Sequence, residues 1–490
     1  MKKFIIGFCT VVGLGLTSCE DGFLDVNTDP NNPVSTTPNY LLPSIIGNGL
    51  QIQLLTELRV GQITQNVAGR TANITTDQYY FTPGNSTSTF NNTYYLVGSN
   101  IGPMIEAAEA EGSPYYVGAG KTMKAIILAH VTDMLGDVPY AEAWKGYTNI
   151  APKYDPQEEI YATIFKLLDE AEAEFSKPAT ANKRPFYTSN PVSGDILYQG
   201  DAAKWIKLVN SIRARQLNHL TKKANYSADA VLAAIDKGIK NNADDAMLGY
   251  RQPTSVESST TSIFGPTRAN MGSYTFGRMF VNYMNGTTLL GDATAADDPR
   301  FPIISPTLSN GAIPGAGQPS APAVTDFYGG WYSTDNSPFP MVTNAEMRFI
   351  EAEAAFRKND KSRAFTAYKA GITAHMTKLG VPAAAQTTYL SSAAVAQSES
   401  ALTFKHIMEQ KYIAMFLNPE SWSDLRRFDF DPAIYPDYAV PTGVNPNLGG
   451  KFVRRMPPAQ TETQYNPGEV ARMGWGAPDY VTLPVWWDKQ

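Results

Sequence analysis

Cysteine is almost absent from the 490-residue chain, which has only Cys9 and Cys19. Cys9 falls inside an apolar leader. Once that leader is cut away a single thiol is left, which excludes a disulfide framework, a cysteine-built zinc cluster and a cysteine nucleophile in the mature chain. Histidine is nearly as scarce. His130, His219, His375 and His406 stand singly on separate expected helices, none with a second ligand at i+3 or i+4, a pattern of packing residues rather than metal ligands. The chain has no G-x-S-x-G elbow, H-E-x-x-H pair, phosphate loop or dinucleotide glycine pattern. No catalytic residue and no metal ligand is therefore assigned. Two carboxylates converging in space, as a glycosidase uses, are the one catalytic arrangement the residues leave open, and nothing singles out a pair. Past the leader no stretch approaches 18 consecutive apolar residues, so no transmembrane helix is expected. Basic residues are outnumbered 40 to 46, which gives no electrostatic footprint for nucleic acid.

The leader opens Met1-Lys2-Lys3 and continues as an apolar run from Phe4 to Leu16. This has the make-up of a signal peptide, and it is too short for a lasting membrane span. It ends at Leu16-Thr17-Ser18-Cys19, which resembles the lipobox of bacterial lipoproteins: the thiol takes a diacylglycerol, the chain is cut before it, and the new amine is acylated. An ordinary cleaved signal would leave Cys19 as a lone secreted thiol, whereas lipidation gives it a role. The expected boundaries are residues 1–18 for the signal and 19–38 for a lipidated tether rich in Asp, Asn and Pro, with a single domain over 39–490. Loss of Lys2 and Lys3 takes the formal charge from −6 to −8. Asp25-x-Asn27-x-Asp29 opens like a calcium loop, but Pro30 stands where the turn needs Gly and Thr36 where a bidentate Glu is required.

Beyond the tether the periodic signals are helical and come in pairs. Met123, Ile126, Ile127 and Met134 recur near a 3.6-residue spacing over 120–135. A second helix is expected from Asp155-Pro156-x-Glu158, with Asp155 as N-cap, through Ile160, Ile164, Leu167, Leu168, Ala171 and Phe175. A third follows Gly200-Asp201 and carries Trp205, Leu208, Val209, Ile212, Leu217 and Leu220, with a partner over 227–239. A capping box at Thr343-x-x-Glu346 starts a helix that breaks at Asn359-Asp360, and its partner runs from Ser362 to Gly380. A last pair covers 403–417 and 420–428. Such pairs look like tetratricopeptide hairpins without the strict repeat, and four of them stacked would bury one continuous core. The expected fold is mainly α, a framework of four helix pairs, with an irregular lobe containing short strands drawn mainly from 61–118, 245–340 and 429–490.

Those loop segments mix aromatic rings with amides and hydroxyls, which suits a sugar's C–H faces and its rim of hydroxyls. The first group is Tyr79, Tyr80, Phe81, Phe90, Tyr94 and Tyr95; the second is Tyr274, Phe276 and Phe280; the third is Phe327, Tyr328, Trp331 and Tyr332 beside Asp326. The candidate ligand-binding residues are Tyr79, Tyr80, Phe81, Tyr94, Tyr95, Tyr274, Phe276, Asp326, Trp331 and Tyr332. The competing reading is that these rings are the core of the lobe.

Seven pieces in order resemble the SusD/RagB family of outer-membrane nutrient-binding lipoproteins, in its SusD-like branch. They are the opening from Cys19-Glu20-Asp21-Gly22 to Asp29-Pro30; Gly136-Asp137-Val138-Pro139-Tyr140-x-Glu142-Ala143; Gly200-Asp201-x-x-Lys204-Trp205 through Asn210-Ser211 to Arg215; Asp298-Pro299-Arg300; Ala345-Glu346 with Phe349-Ile350-x-Ala352-Glu353-Ala354; Trp422-x-Asp424-x-Arg426-Arg427; and Arg454-Arg455-Met456-Pro457-Pro458 with Glu462 and Asn466. The resemblance implies four tetratricopeptide-like pairs in a right-handed superhelical framework, and a lid on a SusC-like TonB-dependent transporter to which oligosaccharides are delivered, with no reaction catalysed. The helical face would be the transporter contact. It implies no cofactor beyond the lipid on Cys19, with calcium left open, and it places the chain at the outer membrane, facing the exterior. Peptides or another nutrient in the same lid role, and a surface glycosidase, are the alternative functions. Replacing Cys19 by Ala is expected to abolish labelling with palmitate and release the protein from the membrane fraction; labelling that persists removes the lipobox assignment.

Overall fold

The computed structural model describes residues 36–72, 74–190, 193–251, 261–285, 298–306, 311–318 and 327–490. The signal peptide, Cys19, nearly all of the tether and Asp326 lie outside the described residues. No described helix is long and apolar enough to cross a membrane.

The chain enters on a helix that the sequence pattern did not announce. α1 (Pro38–Ile63) runs 26 residues with Pro43 inside it, and Leu42, Ile45, Ile46, Leu50, Leu54 and Val60 are buried. Its prolines and glycines read as punctuation, but packing of its apolar side on the helices that follow holds it together through them. α2 (Gly84–Asn91), a π-helical turn over Asn92–Gly98, and α3 (Ser99–Glu111) follow. This corrects the expectation of a loop over 61–118. The segment is poor in helix formers, and tertiary packing against α1 overrides its weak propensity.

The four expected pairs are present. They are α4 (Pro114–Leu135) with α5 (Gln157–Phe175), α6 (Ala202–His219) with α7 (Ala228–Lys237), then, after α8 (Arg278–Asn285) and the single turn α9 (Phe301–Ile304), α10 (Asn344–Arg357) with α11 (Lys361–Leu379). Past α12 (Ala383–Leu390), α13 (Phe404–Ala414) is followed by α14 (Glu420–Arg427) and tied to it by Lys411 Nζ on Asp424 Oδ1 at 2.9 Å, and α15 (Gln460–Tyr465) and α16 (Pro467–Arg472) come last among the helices. Successive pairs stack through α5 on α6, α7 on α10 and α10 on α13. Side-chain caps open three of these helices, at Thr343 as the capping box predicts and at Asp201 and Ser227, where the sequence placed the helix starts. Asp201 accepts from Lys204 N, Ser227 from Ala230 N and Thr343 from Glu346 N. Two expectations fail at caps. Asp155 accepts Tyr140 N and Ala141 N at 2.7 and 3.0 Å, while Asp137 accepts Gln157 N at the start of α5. The Glu346 carboxylate is spent on Arg215 at 2.6 Å rather than on closing the Thr343 box.

Two small antiparallel pairs carry the lobe. β1 (Val67–Gly69) pairs β3 (Tyr274–Phe276) with Val67 opposite Phe276, and β2 (Ala246–Leu248) pairs β4 (Phe339–Val342). No closed sheet forms among the described residues.

Inside the framework His219, expected as a packing residue, is an ion-pair centre. Its Nδ1 lies 3.2 Å from Asp133 Oδ2 and its Nε2 2.9 Å from Glu420 Oε2, while Tyr161 and Trp487 bond the other Asp133 oxygen at 2.6 and 2.8 Å. The trio lies within 4.8 Å, a spacing a metal ion would accept. Both ring nitrogens already have partners, however, and Arg215 Nη1 stands 3.6 Å from Glu420 Oε1, so the arrangement is an imidazolium between two carboxylates. Burial opposes the charge, but the two carboxylates prevail and push the imidazole up to about 9. A raised folded-state value gives stability that is fully present below about 6.5 and is lost as pH climbs through about 9. Denaturant unfolding is therefore expected to lose on the order of a few kcal/mol between those pH values. Buried Glu409, pushed up to about 8 by desolvation, adds a decline of the same sign. The His219→Gln variant isolates the imidazole's share: its pH slope should be visibly flatter than that of the parent, and an unchanged slope contradicts the assignment.

Candidate functional site

Four segments far apart in sequence braid into the loop lobe. Residues 67–80 meet 272–278 through the β1–β3 pair and through Arg70 N on Ser273 O at 2.9 Å. They meet 311–318 through a bridge between Thr71 and Gly317 and through Gln318 N on Arg70 O at 3.1 Å. Residues 438–445 join through Thr442 N on Pro314 O and Asn445 N on Gln78 O, both 2.9 Å. Gly315 makes this convergence possible: its φ is +77° and a Cβ would lie 1.9 Å from Thr442 O. Asp77 holds the crossing from below. Its carboxylate accepts the backbone N–H groups of Gly315 and Gly69, yet desolvation still pushes it up to about 6.

The three aromatic groups are brought together in part. Thr76 Oγ1 lies 3.3 Å from the Tyr274 hydroxyl, which links the first group to the second. Phe276 and Phe327 stand 5.6 Å apart and Tyr328 Oη accepts Met271 N at 3.1 Å, which links the second to the third. Most of these rings are core. Tyr79, Phe276 and Tyr332 are at most 3 % exposed, and Tyr274 is nearly as buried. Phe276, Phe280 and Phe416 pile on one another at 4.3 to 5.9 Å, and Tyr332 Oη bonds His375 Nε2 at 2.9 Å. Tyr79, Tyr274, Phe276 and Tyr332, expected as ligand residues, are therefore buried here and serve the packing of the lobe.

The first group is also split. Tyr79 to Phe81 belong to the braid, but Phe90 and Tyr94 pack with Trp144 on the helical framework at 4.5 and 5.5 Å, and Tyr94 Oη donates to Pro139 O. Tyr94 is thus likewise core. Tyr95 is 63 % exposed but stands on the π-helical turn, within the field of Glu462. Four rings remain at the lobe's surface: Tyr80, 42 % exposed, and half-buried Phe81, Tyr328 and Trp331. Amide, hydroxyl and guanidinium groups accompany them at Arg70, Thr71, Gln78, Asn270 and Gln318. That mixture can stack on flat apolar faces and exchange hydrogen bonds with hydroxyls. Asp77, Gln78 and Gly315, which fix the braid, were not singled out in the sequence, since their roles depend on partners more than 200 residues away.

A family model described as "Starch-binding associating with outer membrane", SusD-like, matches residues 30–454. The chain belongs to this SusD-like family. Solved structures agree on the fold. A SusD homolog from Parabacteroides distasonis is 22% identical with a TM-score of 0.73, covering 93% of this chain and 98% of that one. A chitin-binding SusD homolog from Flavobacterium johnsoniae is 21% identical with a TM-score of 0.70, covering 92% and 99%. A SusD homolog from Bacteroides fragilis is 23% identical with a TM-score of 0.69, covering 93% and 100%. No curated protein matches the sequence. In this SusD-like chain the braid positions the surface rings, so Gly315→Ala is expected to speed amide exchange over 67–80, 311–318 and 438–445 while α10 and α11 keep their protection. Uniform exchange in all of these segments contradicts the braid's role.

Proposed function

We propose that this SusD-like protein is a cell-surface lipoprotein that binds oligosaccharides and hands them to a SusC-like TonB-dependent transporter in the outer membrane, without catalysing a reaction. The observation that carries the reading is the family match over residues 30–454. Exposed Tyr80 and half-buried Phe81, Tyr328 and Trp331 on the loop lobe support it, because amphipathic ring faces left partly open can stack on the C–H face of a sugar and give a reversible, modest affinity suited to a carrier. A lipid on Cys19 would keep the protein beside its channel, raising the effective concentration of captured ligand there.

The same lid with a peptide cargo is the second reading; it draws on the rim's amides and hydroxyls, which serve a peptide backbone as well as a sugar. Titration against panels of neutral glycans and of peptides separates the two. Trp331→Ala and Tyr80→Ala should each weaken glycan binding by several-fold to about tenfold. If both leave every binding signal unchanged, the sugar reading fails, and release of reducing ends by the purified protein would point to a glycosidase instead.

A further inference from the structure

Away from the loop lobe, residues 179–187 and 199–200, between α5 and α6, form with Tyr115 of α4 an open cleft of about 380 Å³, within the size range of small-ligand sites. Tyr115, Lys183, Arg184, Phe186, Tyr187 and Gln199 line it. We propose that this cleft is a second sugar site, selective for a residue that carries a carboxylate, such as a hexuronate. The proposal rests on the glycan-binding reading and adds a subsite and a ligand charge to it.

The walls are fixed by bonds that leave the relevant groups free. Asn182 Oδ1 accepts Tyr115 N at 2.9 Å, Lys183 N donates to Gly112 O at 3.1 Å, Arg184 N donates to Ser113 Oγ at 3.1 Å, and Tyr116 Oη donates to Pro185 O at 2.7 Å. Asp195 N donates to Phe186 O at 2.8 Å, and Phe186 stands edge-on to Tyr116 at 5.1 Å. Tyr187, whose backbone bridges Gly194, leaves its ring 42 % exposed on this rigid support. Exposed Tyr40 flanks the same loop, tied to it by Gly194 N on Asn39 O at 2.7 Å.

The charges favour an anion. Arg184 grips Glu111 through Nε and Nη2, which occupies that acid and leaves Nη1 without an acceptor among the described residues. Asp201 caps the Lys204 N–H of α6, and Asp195 is buried beneath Trp205, accepting its Nε1–H at 2.9 Å. Lys183 makes no ion pair among the described residues. One free ammonium, one free guanidinium N–H, an open ring face and the Gln199 amide match a sugar's C–H face and single carboxylate. An acidic peptide would look for a free backbone edge, and here the N–H groups of Asn182, Lys183 and Arg184 and the carbonyls of Pro185 and Phe186 are already bonded.

The test is calorimetric titration of the full chain with tri-galacturonate, its neutral galactose counterpart and an oligoglutamate peptide. Tri-galacturonate should bind, and Lys183→Met and Tyr187→Ala should each weaken it about tenfold, with melting curves unchanged. Tyr80→Ala and Trp331→Ala should leave it unaffected, and the neutral trimer should be indifferent to Lys183→Met. Absence of uronate binding while neutral glycans still bind overturns this inference alone; absence of binding to any glycan overturns the underlying function as well. Oligoglutamate binding as tightly as the uronate, or uronate binding lost in the loop-lobe variants, also overturns it.

Discussion

Four arginines buried in the interior, Arg215, Arg300, Arg426 and Arg427, set the terms on which the helices stack. Each needs partners, because an unpaired buried charge costs several kcal/mol. Arg215 makes a bidentate pair with Glu346 at 2.6 and 2.7 Å, joining α6 to α10. Arg427 does the same with Glu353 at 2.7 and 2.8 Å, joining α14 to α10. Arg426 donates to Asp133 O at 2.7 Å and stands over Trp422 and Trp487 at 4.0 and 4.6 Å, joining α14 to α4 and to the chain's end. A slide of one helical turn between any two pairs would strand at least one of these cations. The buried charges therefore act as register pins, and apolar packing supplies the bulk of the driving force around them.

Arg300 extends the same logic to the loops. It pairs with Asp298 next to it in sequence and reaches Gln410 Oε1 at 2.7 Å on α13 and His375 Nδ1 at 3.3 Å on α11. His375, held well below its ordinary value by burial and by the neighbouring guanidinium, stays neutral and bonds Tyr332. A loop is thus anchored to the framework from behind by a charge, while its aromatic residues fill the space in between. This division explains why so many rings of an aromatic-rich lobe face inward. A lobe with two short strand pairs among its described residues has little regular backbone there to stabilise it, so side-chain burial must do so.

The helical framework was largely legible in the sequence. Stripes such as Ile160, Ile164, Leu167 and Leu168, with caps at Asp201, Ser227 and Thr343, state their structure locally, because periodicity and capping act within a turn or two. α1 was not legible, since Pro43, Gly47 and Gly49 are local helix breakers whose tolerance depends on what packs beside them. The site was half legible. Aromatic clusters marked the right loops, but whether Tyr79 or its neighbour Tyr80 faces water is decided by Tyr438, 359 residues away, whose hydroxyl stands 3.4 Å from that of Tyr79.

What the sequence by itself determined is therefore the class and order of the helices, the likeness to a family, and the expectation of a lipid at Cys19, because each is written in residues close together in the chain. Only the tertiary structure decided which rings are core and which remain at the surface, and that His219 lies between Asp133 and Glu420. It also decided that residues 179–187 and 199–200 form a cleft against α4. The physical reason is common to all three: burial and electrostatic environment are properties of neighbours in space, and here those neighbours come from distant parts of the chain.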